Sequence, residues 1–377
     1  MRCKSRKNQR GAMLITASLW FIVLIAFAAV AFDVGHLLIV RGELKNAADA
    51  AALAGANCLD KTTAPSGTDC TSTKGPLNWS IAATKAANSV GMNKSDGTSL
   101  ISGTVQTGYW NLNGGTALQP TTLSPIGPCN KDATGVAVGP CDKPAVMVTV
   151  RRAAGSNGGP VGTLIATMFS GSAISVDGTA VAVLSSPGNV LPKTLIPQAI
   201  NKCMFDLYWD STTGTPKLAP SNDPINGVPQ IQGQPIRIRI GSSYHYPNCE
   251  AGQWTSFKDP SNSATTMKDL INNGNPDPLN IGDNTYLQPG TKASGYNDLD
   301  SKFPTPPGAD VTMAVIDDPL LAKLSSPIVA FAGFHIDDVQ AGSDKYIEGH
   351  FIQWAVTGGA SGIGPYYGTY TPPRLAQ

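Results

Sequence analysis

Cysteine is the residue type in this sequence with the clearest capacity for covalent chemistry. Cys3 stands near the N-terminus, and six more cysteines lie between residues 58 and 249. No two of the seven form a C-x-x-C pair, which disfavours a thiol–disulfide exchange centre and a zinc site. In an oxidising compartment the six are expected to form structural disulfides. Several pairings are open, and the one between sequence neighbours joins Cys58 to Cys70, Cys129 to Cys141 and Cys203 to Cys249.

A second group of side chains near the C-terminus could bind a metal or exchange protons. Its members are His335, Asp337, Asp338, Asp344, Glu348 and His350. One interpretation is a divalent-metal site or an acid–base pair. The other is two strands, built by apolar residues such as Phe334 and Phe351, whose carboxylates decorate the connecting turn. The second is favoured, and no metal ligand is assigned. Asp33 and His36 lack a third ligand nearby and are likewise assigned no chemistry.

Motifs of common enzyme classes are also missing from the sequence. No G-x-S-x-G string is present to build a nucleophile elbow. The glycine-rich residues 358–364 lack the following helix and lysine that a phosphate-binding loop needs. We therefore predict that the chain is not an enzyme, that it has no catalytic residue and that it binds no cofactor.

The element that must position everything else is an apolar segment near the N-terminus. Residues 11–32 contain no charge, and about 20 such residues suffice to cross a bilayer as a helix. Lysine and arginine are retained on the cytoplasmic side, so the N-terminus is predicted inside and the rest outside. The alternative is a cleaved signal peptide with Ala29-Val30-Ala31 as its cleavage site, but the apolar run exceeds the roughly 7 to 15 residues usual there. The orienting residues are Arg2, Lys4, Arg6, Lys7 and Arg10.

Helix-forming residues continue well past this segment. Residues 33–57 are rich in alanine and leucine, and only glycines interrupt the pattern. Small residues on one face would permit close packing of another helix. The stripe consists of Leu37, Leu38, Val40, Leu44, Ala48, Ala51 and Ala52.

The remaining sequence predicts an α+β fold in two extracytoplasmic parts. Only 14% of the residues are charged, and 40 Gly and 29 Pro are typical of a loop-rich exported protein. Helices are predicted at 79–92, 161–169 and 264–273, and strands at 104–110, 145–152, 173–184, 236–240, 311–316, 328–336 and 346–356. The expected division is a cytoplasmic tail 1–10, a transmembrane and extended helix 11–57, an α+β domain 58–186, a Pro-rich linker 187–199 and a mainly β domain 200–377.

A family resemblance rests on the N-terminal residues. Arg10-Gly11 precedes the apolar run, Asp33-Val34-Gly35 ends it, and LKNAADAAALAG follows at 44–55. Residues 10–56 thereby resemble the N-terminal module of TadG-like proteins of the tight adherence (Tad, or Flp pilus) family, with a looser likeness over 79–184. Two features depart from relatives: Thr16 stands where processed pilin precursors carry Glu, and Asp210-Ser211-Thr212-Thr213 does not fit a von Willebrand A metal motif.

The resemblance implies a membrane-anchored accessory or structural protein of pilus assembly, in a bacterial inner membrane with its bulk in the periplasm. Its expected partners are the lipid bilayer and other Tad/Flp pilus-assembly membrane proteins, and homo-oligomerisation stays open. The alternative is an anchored or secreted binding module for a cell-wall or surface ligand, carried by residues 200–377. Nucleic acid is not an expected partner, because the concentrated positive charge is confined to the N-terminal tail.

Overall fold

The computed structural model describes most of the chain, and its elements are those of an α+β protein, as predicted. The predicted helix at 161–169 and the pair Cys129 and Cys141 lie largely or wholly outside the described residues. These residues are 9–60, 70, 77–112, 116–121, 142–163, 173–210, 213–241, 244–260, 263–288, 293–318, 324–355, 359 and 366–376.

The first element is one uninterrupted helix, α1 (Gln9–Ala56), of 48 residues. At 1.5 Å per residue it is about 70 Å long, more than twice the hydrocarbon thickness of a bilayer. By length and composition the stretch Met13–Ala56 contains a segment able to cross a membrane, and none of that segment is buried against the rest of the chain. The predicted continuation of the helix past the apolar run is confirmed.

The C-terminal half of α1 packs on a four-stranded antiparallel sheet. A second helix, α2 (Trp79–Val90), lies beside α1, and its first turn is capped by Asn78, whose side chain accepts a hydrogen bond from Ile81 N at 3.1 Å. The strand order is β21-β5-β4-β3. The strands are β3 (Thr104–Asn111), β4 (Asp142–Arg152), β5 (Val176–Val183) and β21 (Arg374–Leu375).

A core forms between α1, α2 and this sheet because apolar residues recur with each element's own period. Along α1 the buried positions follow the 3.6-residue repeat, and the residues of β4 and β5 that belong to this core occupy every second position. Most of the α1 side chains in this core are alanines, so the helix lies close to the sheet. The buried residues include Leu44, Ala47, Ala48, Ala51, Ala52, Val146, Val148, Val150, Ala180 and Ala182.

The second sheet has seven strands and builds a separate and larger core. Its order is β10-β18-β17-β16-β7-β13, with β15 paired to β17, and only the β16–β7 pair is parallel. The strands are β7 (Leu195–Asn201), β10 (Ile238–Ile240), β13 (Gly252–Trp254), β15 (Asn284–Tyr286), β16 (Ala309–Ile316), β17 (Ser325–Gln340) and β18 (Tyr346–Ile352).

Three helices accompany this sheet: α3 (Lys202–Tyr208), α4 (Ala264–Asn273) and α5 (Ala293–Lys302). The bounds of α4 are those predicted, and Ser263 caps it by accepting a hydrogen bond from Thr266 N at 3.0 Å. Short strands complete the structure: β1 (Lys94–Ser95), β2 (Thr98–Ser99), β6 (Asn189–Val190), β8 (Trp209–Asp210), β9 (Thr215–Pro216), β11 (His245–Tyr246), β12 (Cys249–Glu250), β14 (Leu279–Asn280), β19 (Trp354–Ala355) and β20 (Thr369–Tyr370).

The segment predicted to be a Pro-rich linker, 187–199, contains β6 and most of β7. Every residue of β7 is buried. Pro197 is accommodated because its carbonyl accepts a hydrogen bond from Thr255 N at 3.0 Å, while a proline has no N–H to satisfy. A domain boundary is predicted here from the sequence because proline is rare in central strands. The division into domains stays a prediction.

The C-terminal tail returns from the second core to the first. Tyr367 stacks on Phe205 with ring centroids 4.3 Å apart, and Tyr366 stacks on Tyr370 at 4.1 Å. Tyr370 belongs to the core around α1, and β21 then pairs with β5 at the edge of the first sheet. The last described residues therefore contact both cores.

Two disulfides are present among the described residues. They join Cys58 to Cys70, with Cα atoms 5.4 Å apart, and Cys203 to Cys249, at 6.0 Å. Both are pairs that sequence proximity predicts. The first lies just beyond the end of α1, and the second joins α3 to β12. The third pair, Cys129 with Cys141, stays a prediction.

The close approach of α1 to β5 gives a stability test. A Cβ atom added at Gly178 would lie 2.4 Å from the backbone nitrogen of Lys45, so Gly178→Ala must push the helix away from the sheet. We expect it to lower the free energy of unfolding by about 1 to 3 kcal/mol, measured by denaturant unfolding of the detergent-solubilised full chain. The control is Gly42→Ala, where a Cβ meets nothing within 4 Å; equal effects of the two changes would contradict the packing argument.

Candidate membrane anchor

The N-terminal half of α1 presents apolar side chains in every direction. The large apolar residues from Met13 to Phe32 are between 42% and 78% exposed. A helix that is apolar all round needs an apolar environment on all sides, such as the interior of a bilayer. This half of the helix is therefore the candidate membrane anchor. Of the residues predicted to set its orientation, Arg10 lies in the first turn of α1, and Arg2, Lys4, Arg6 and Lys7 lie outside the described residues.

The same helix changes environment without changing conformation. Leu38 and Ile39 are each 63% exposed, whereas Val40 and Leu44 are fully buried. Near the far end, a Cβ added at Gly55 would lie 2.9 Å from the carbonyl oxygen of Ala82 in α2. Most of the small-residue stripe predicted to receive another helix, from Val40 to Ala52, is thus covered by the chain's own α2 and first sheet, whereas Leu38 of that stripe is exposed. The candidate anchor and the buried segment are therefore two parts of one continuous helix, α1.

A polar cluster joins the β1–β2 hairpin and the end of β4 to α1, close to the apolar segment. The β1–β2 turn places Asp96 against the helix, where its side chain accepts a hydrogen bond from His36 Nε2 at 3.1 Å. Its backbone N–H donates to the Glu43 carboxylate at 2.7 Å. Arg152, at the end of β4, contacts the second Asp96 oxygen at 3.1 Å. We call these four residues, His36, Glu43, Asp96 and Arg152, the helix clasp.

The helix clasp exists because α2 runs antiparallel to α1. Asn78 N bonds to Leu59 O beyond the end of α1, so the chain leaves α2 heading back toward the apolar segment. Asp96 and Gly97 both adopt positive φ, at 50° and 70°, and close the hairpin there. In the sequence the Asp96-Gly97 pair indicates a hairpin turn. No local signal indicates that this turn contacts α1.

The environment of Asp96 favours its ionised form. The hydrogen bond from His36 is the main cause, and Arg152 adds to it, so that the pKa of Asp96 is lowered from its usual 3.8 despite partial desolvation. Since the side chain is 39% exposed, solvent screens these interactions and limits their contribution to stability.

The C-terminal polar group predicted from the sequence assembles in part. His350 Nδ1 lies 2.9 Å from Asp337, and His335 Nδ1 lies 2.6 Å from Asp310. The strands β17 and β18 carry Asp337, Asp338 and Glu348, so these carboxylates are in the sheet rather than on the turn where the favoured interpretation placed them. Asp344 alone lies in the connection.

Two arginines that the sequence did not connect to this group complete it. Arg237 reaches Asp337 at 3.2 Å and Glu348 at 3.3 Å, and Arg239 reaches Glu348 at 2.9 Å. Because the two arginines alternate with isoleucines over residues 236–240, the sequence predicts a strand with both arginines on one face. It does not indicate which carboxylates they contact. Burial would raise the pKa of Asp337, yet the hydrogen bond from His350 and the charge of Arg237 lower it below 3.8. Within the described ranges, no group of three or more His, Cys, Asp or Glu residues is arranged to hold a metal ion.

The helix clasp predicts an acid-dependent contribution to stability. Because the pKa of Asp96 is lower when folded than when unfolded, its stabilisation is present above about pH 4 and is lost as the pH falls through the folded pKa. Asp96→Asn should lower the free energy of unfolding at neutral pH by about 1 kcal/mol or less. In unfolding curves measured as a function of pH, the difference from wild type should shrink below pH 4. Asp300→Asn, at an exposed site on α5, is the control; a pH-independent difference for Asp96→Asn would exclude the clasp.

Comparison with known families covers the region just described. Residues 11–57 match the Tad family model, described as Flp pilus-assembly TadE/G-like. Residues 43–180 match the Tad_C model, described as Tad-like Flp pilus-assembly. The second match spans the buried half of α1, α2 and the strands from β1 through most of β5. No curated protein and no solved structure matches the chain.

The two family matches overlap on the buried half of α1, between residues 43 and 57. The two matches thus meet on the segment of α1 that connects its apolar half to the first core. The resemblance expected from the sequence is confirmed, since residues 11–180 are covered by matches to the TadE/G-like and Tad-like Flp pilus-assembly family models.

Proposed function

We propose that the chain is a membrane-anchored accessory or structural protein of Tad/Flp-type pilus assembly. The single observation that carries this proposal is the continuity of α1, whose apolar half is exposed and whose small-residue half is buried in the part that we call the Tad module, residues 43–180. Such a protein acts mechanically: it holds a folded module at a fixed place on a membrane. The charged groups that the sequence singled out support this role, since Asp337 and Glu348 form ion pairs with Arg237 and Arg239 within the second sheet.

The rigidity of the connection supports a mechanical role. A flexible linker would let the module move freely with respect to the bilayer, whereas here the helix enters the core without a break. The helix clasp adds contacts between α1 and the module next to the apolar segment. A force applied to the module would therefore be transmitted to the anchor. The partners proposed are the bilayer and other Tad/Flp membrane proteins, with a second copy of the chain as a further candidate.

The proposed location is a bacterial inner membrane, crossed once, with the N-terminus in the cytoplasm and the bulk in the periplasm. Five positive charges in the first ten residues support this orientation. An oxidising periplasm would also suit the two disulfides, both of which lie on the side of α1 away from the basic tail.

Cys3 provides a test of orientation in the unmodified chain. If the six other cysteines form three disulfides, Cys3 is the sole free thiol. A membrane-impermeant maleimide should then label the protein only after the inner membrane is opened, and Cys3→Ser should abolish labelling. Labelling of intact spheroplasts at Cys3 would place the N-terminus outside and overturn the proposed topology.

Pilus assembly itself tests the role. Deletion of the gene should reduce surface pili and adhesion, and the wild-type gene should restore them. A version carrying Ile22→Arg and Leu24→Arg should fail, because each arginine costs about 2.5 to 3.5 kcal/mol at the centre of a membrane helix. The matched control carries alanine at both positions and should restore assembly. Normal piliation of the deletion strain would refute the proposed function.

One feature supports the alternative of an envelope binding module. A cavity of about 280 Å³ in the second part of the structure is lined by Phe205, Trp209 and Tyr367 together with Asp206, Asp210 and Lys217. Aromatic rings beside carboxylates suit the faces and hydroxyls of a sugar. Retention of the full chain on cell-wall glycan, together with normal piliation in the deletion strain, would favour this alternative.

A further inference from the structure

A polar groove lies on the outer face of the first sheet, on the side opposite α1. It encloses about 420 Å³, a volume within the range of small-ligand sites. Its lining combines hydroxyl groups with two amides and one guanidinium. The residues that supply them are Ser102, Thr104, Gln106, Thr149, Arg151, Ser156 and Asn157.

Arg151 is the side chain that gives the groove its charge. It is exposed, and it makes no hydrogen bond or ion pair with any other residue that the structure describes. Asp177, its cross-strand neighbour on β5, does not form an ion pair with it. The adjacent Arg152 is instead buried and committed to the helix clasp and to the carbonyl of Gly159. A planar guanidinium with free N–H groups is suited to a phosphate oxyanion.

The wall of the groove is held in place by Asn157. Its side-chain oxygen accepts from the backbone N–H groups of Ile101 and Ser102, at 2.8 and 3.0 Å. Its side-chain nitrogen donates to the carbonyls of Ser102 and Arg151, both at 2.8 Å. Four hydrogen bonds from one buried side chain fix the loop after β4 to the segment before β3. A ligand would enter a site that is already formed.

The groove lies at the membrane-facing end of the Tad module. Loop 153–160 contacts the β1–β2 hairpin, where a Cβ added at Gly158 would meet the Thr98 side chain at 2.5 Å. The hairpin touches His36, which is four residues, or about 6 Å, past the apolar segment. The headgroup layer on each side of a bilayer is roughly 5 to 8 Å thick. Ile101, 78% exposed, stands at the rim beside Ser102.

We propose that this groove binds the anionic phosphate headgroup of a membrane phospholipid, with Arg151 and the neighbouring hydroxyls contacting the phosphate. The inference rests on the proposed membrane anchorage, because α1 brings the groove to the lipid surface. The apolar rim at Ile101 suits a lipid, whose phosphate is attached to an apolar body, better than a freely soluble anion. Headgroup binding would set the height and tilt of the module on the bilayer.

The test uses the full chain in nonionic detergent and isothermal titration with dihexanoyl-phosphatidylglycerol. Wild type should bind, and Arg151→Gln should weaken binding at least about tenfold, the effect of losing a charge-assisted hydrogen bond. The matched control is Lys94→Gln, which removes one positive charge at the same end of the module but outside the groove. It should change binding less than about threefold. Thr104→Val, at an exposed hydroxyl of the lining, should give an intermediate loss.

Further arms identify the source of the phosphate. Glycerol 1-phosphate and inorganic phosphate should bind more weakly than the short-chain lipid; equal binding would overturn the lipid assignment in favour of a soluble anion. Unchanged lipid binding by Arg151→Gln, or selective binding of a cell-wall glycan fragment instead of the lipid, would overturn the proposal. Arg151→Gln should still resist alkaline extraction from membranes, so that loss of headgroup binding is distinguished from failure of the anchor.

Discussion

The close contact between α1 and β5 is the constraint on which the rest of the structure depends. At Gly178 the strand backbone lies so near the helix backbone at Leu44 and Lys45 that no side chain fits between them. The alanines of α1 satisfy the same requirement from the other side, because a larger residue would separate the layers. Once this contact forms, the direction of α1 is fixed with respect to the sheet. Everything on the sheet then has a fixed position relative to the apolar segment that precedes residue 33.

The helix side of this contact, at Leu44 and Lys45, lies where the two family matches overlap. The overlap of the matches on residues 43–57 falls on the part of α1 that is buried in the first core. A segment joined to its module by a shared helix has no hinge at which to turn, and the helix clasp adds contacts next to the apolar segment. This arrangement supports the proposal of a structural component that bears load between a membrane and an assembly.

The tail extends the same coupling to the second core. Tyr366 and Tyr370 stack beside the first core while Tyr367 stacks on Phe205 in the second, and β21 closes the sheet edge next to β5. Tyr367 and Tyr370 are buried, so separating the tail from the two cores would expose their aromatic rings. The two cores are therefore connected both through residues 184–195 and through the returning C-terminus.

Elements whose signals are local could be predicted from the sequence. The charge-free run, the alanine-rich continuation of α1, the helix α4 and the apolar runs at 311–316 and 328–336 each carry a local signal, and cysteines close in the sequence indicated the two disulfides. Which surfaces contact each other became visible in the folded chain alone. Pro197 lies in a buried strand because Thr255 donates a hydrogen bond to its carbonyl. The small face of α1 is covered by α2 and the first sheet rather than by another protein's helix. Arg237 forms an ion pair with Asp337, which is 100 residues away in the sequence. Such contacts depend on chain topology, which brings distant residues together without leaving a repeat in the sequence between them.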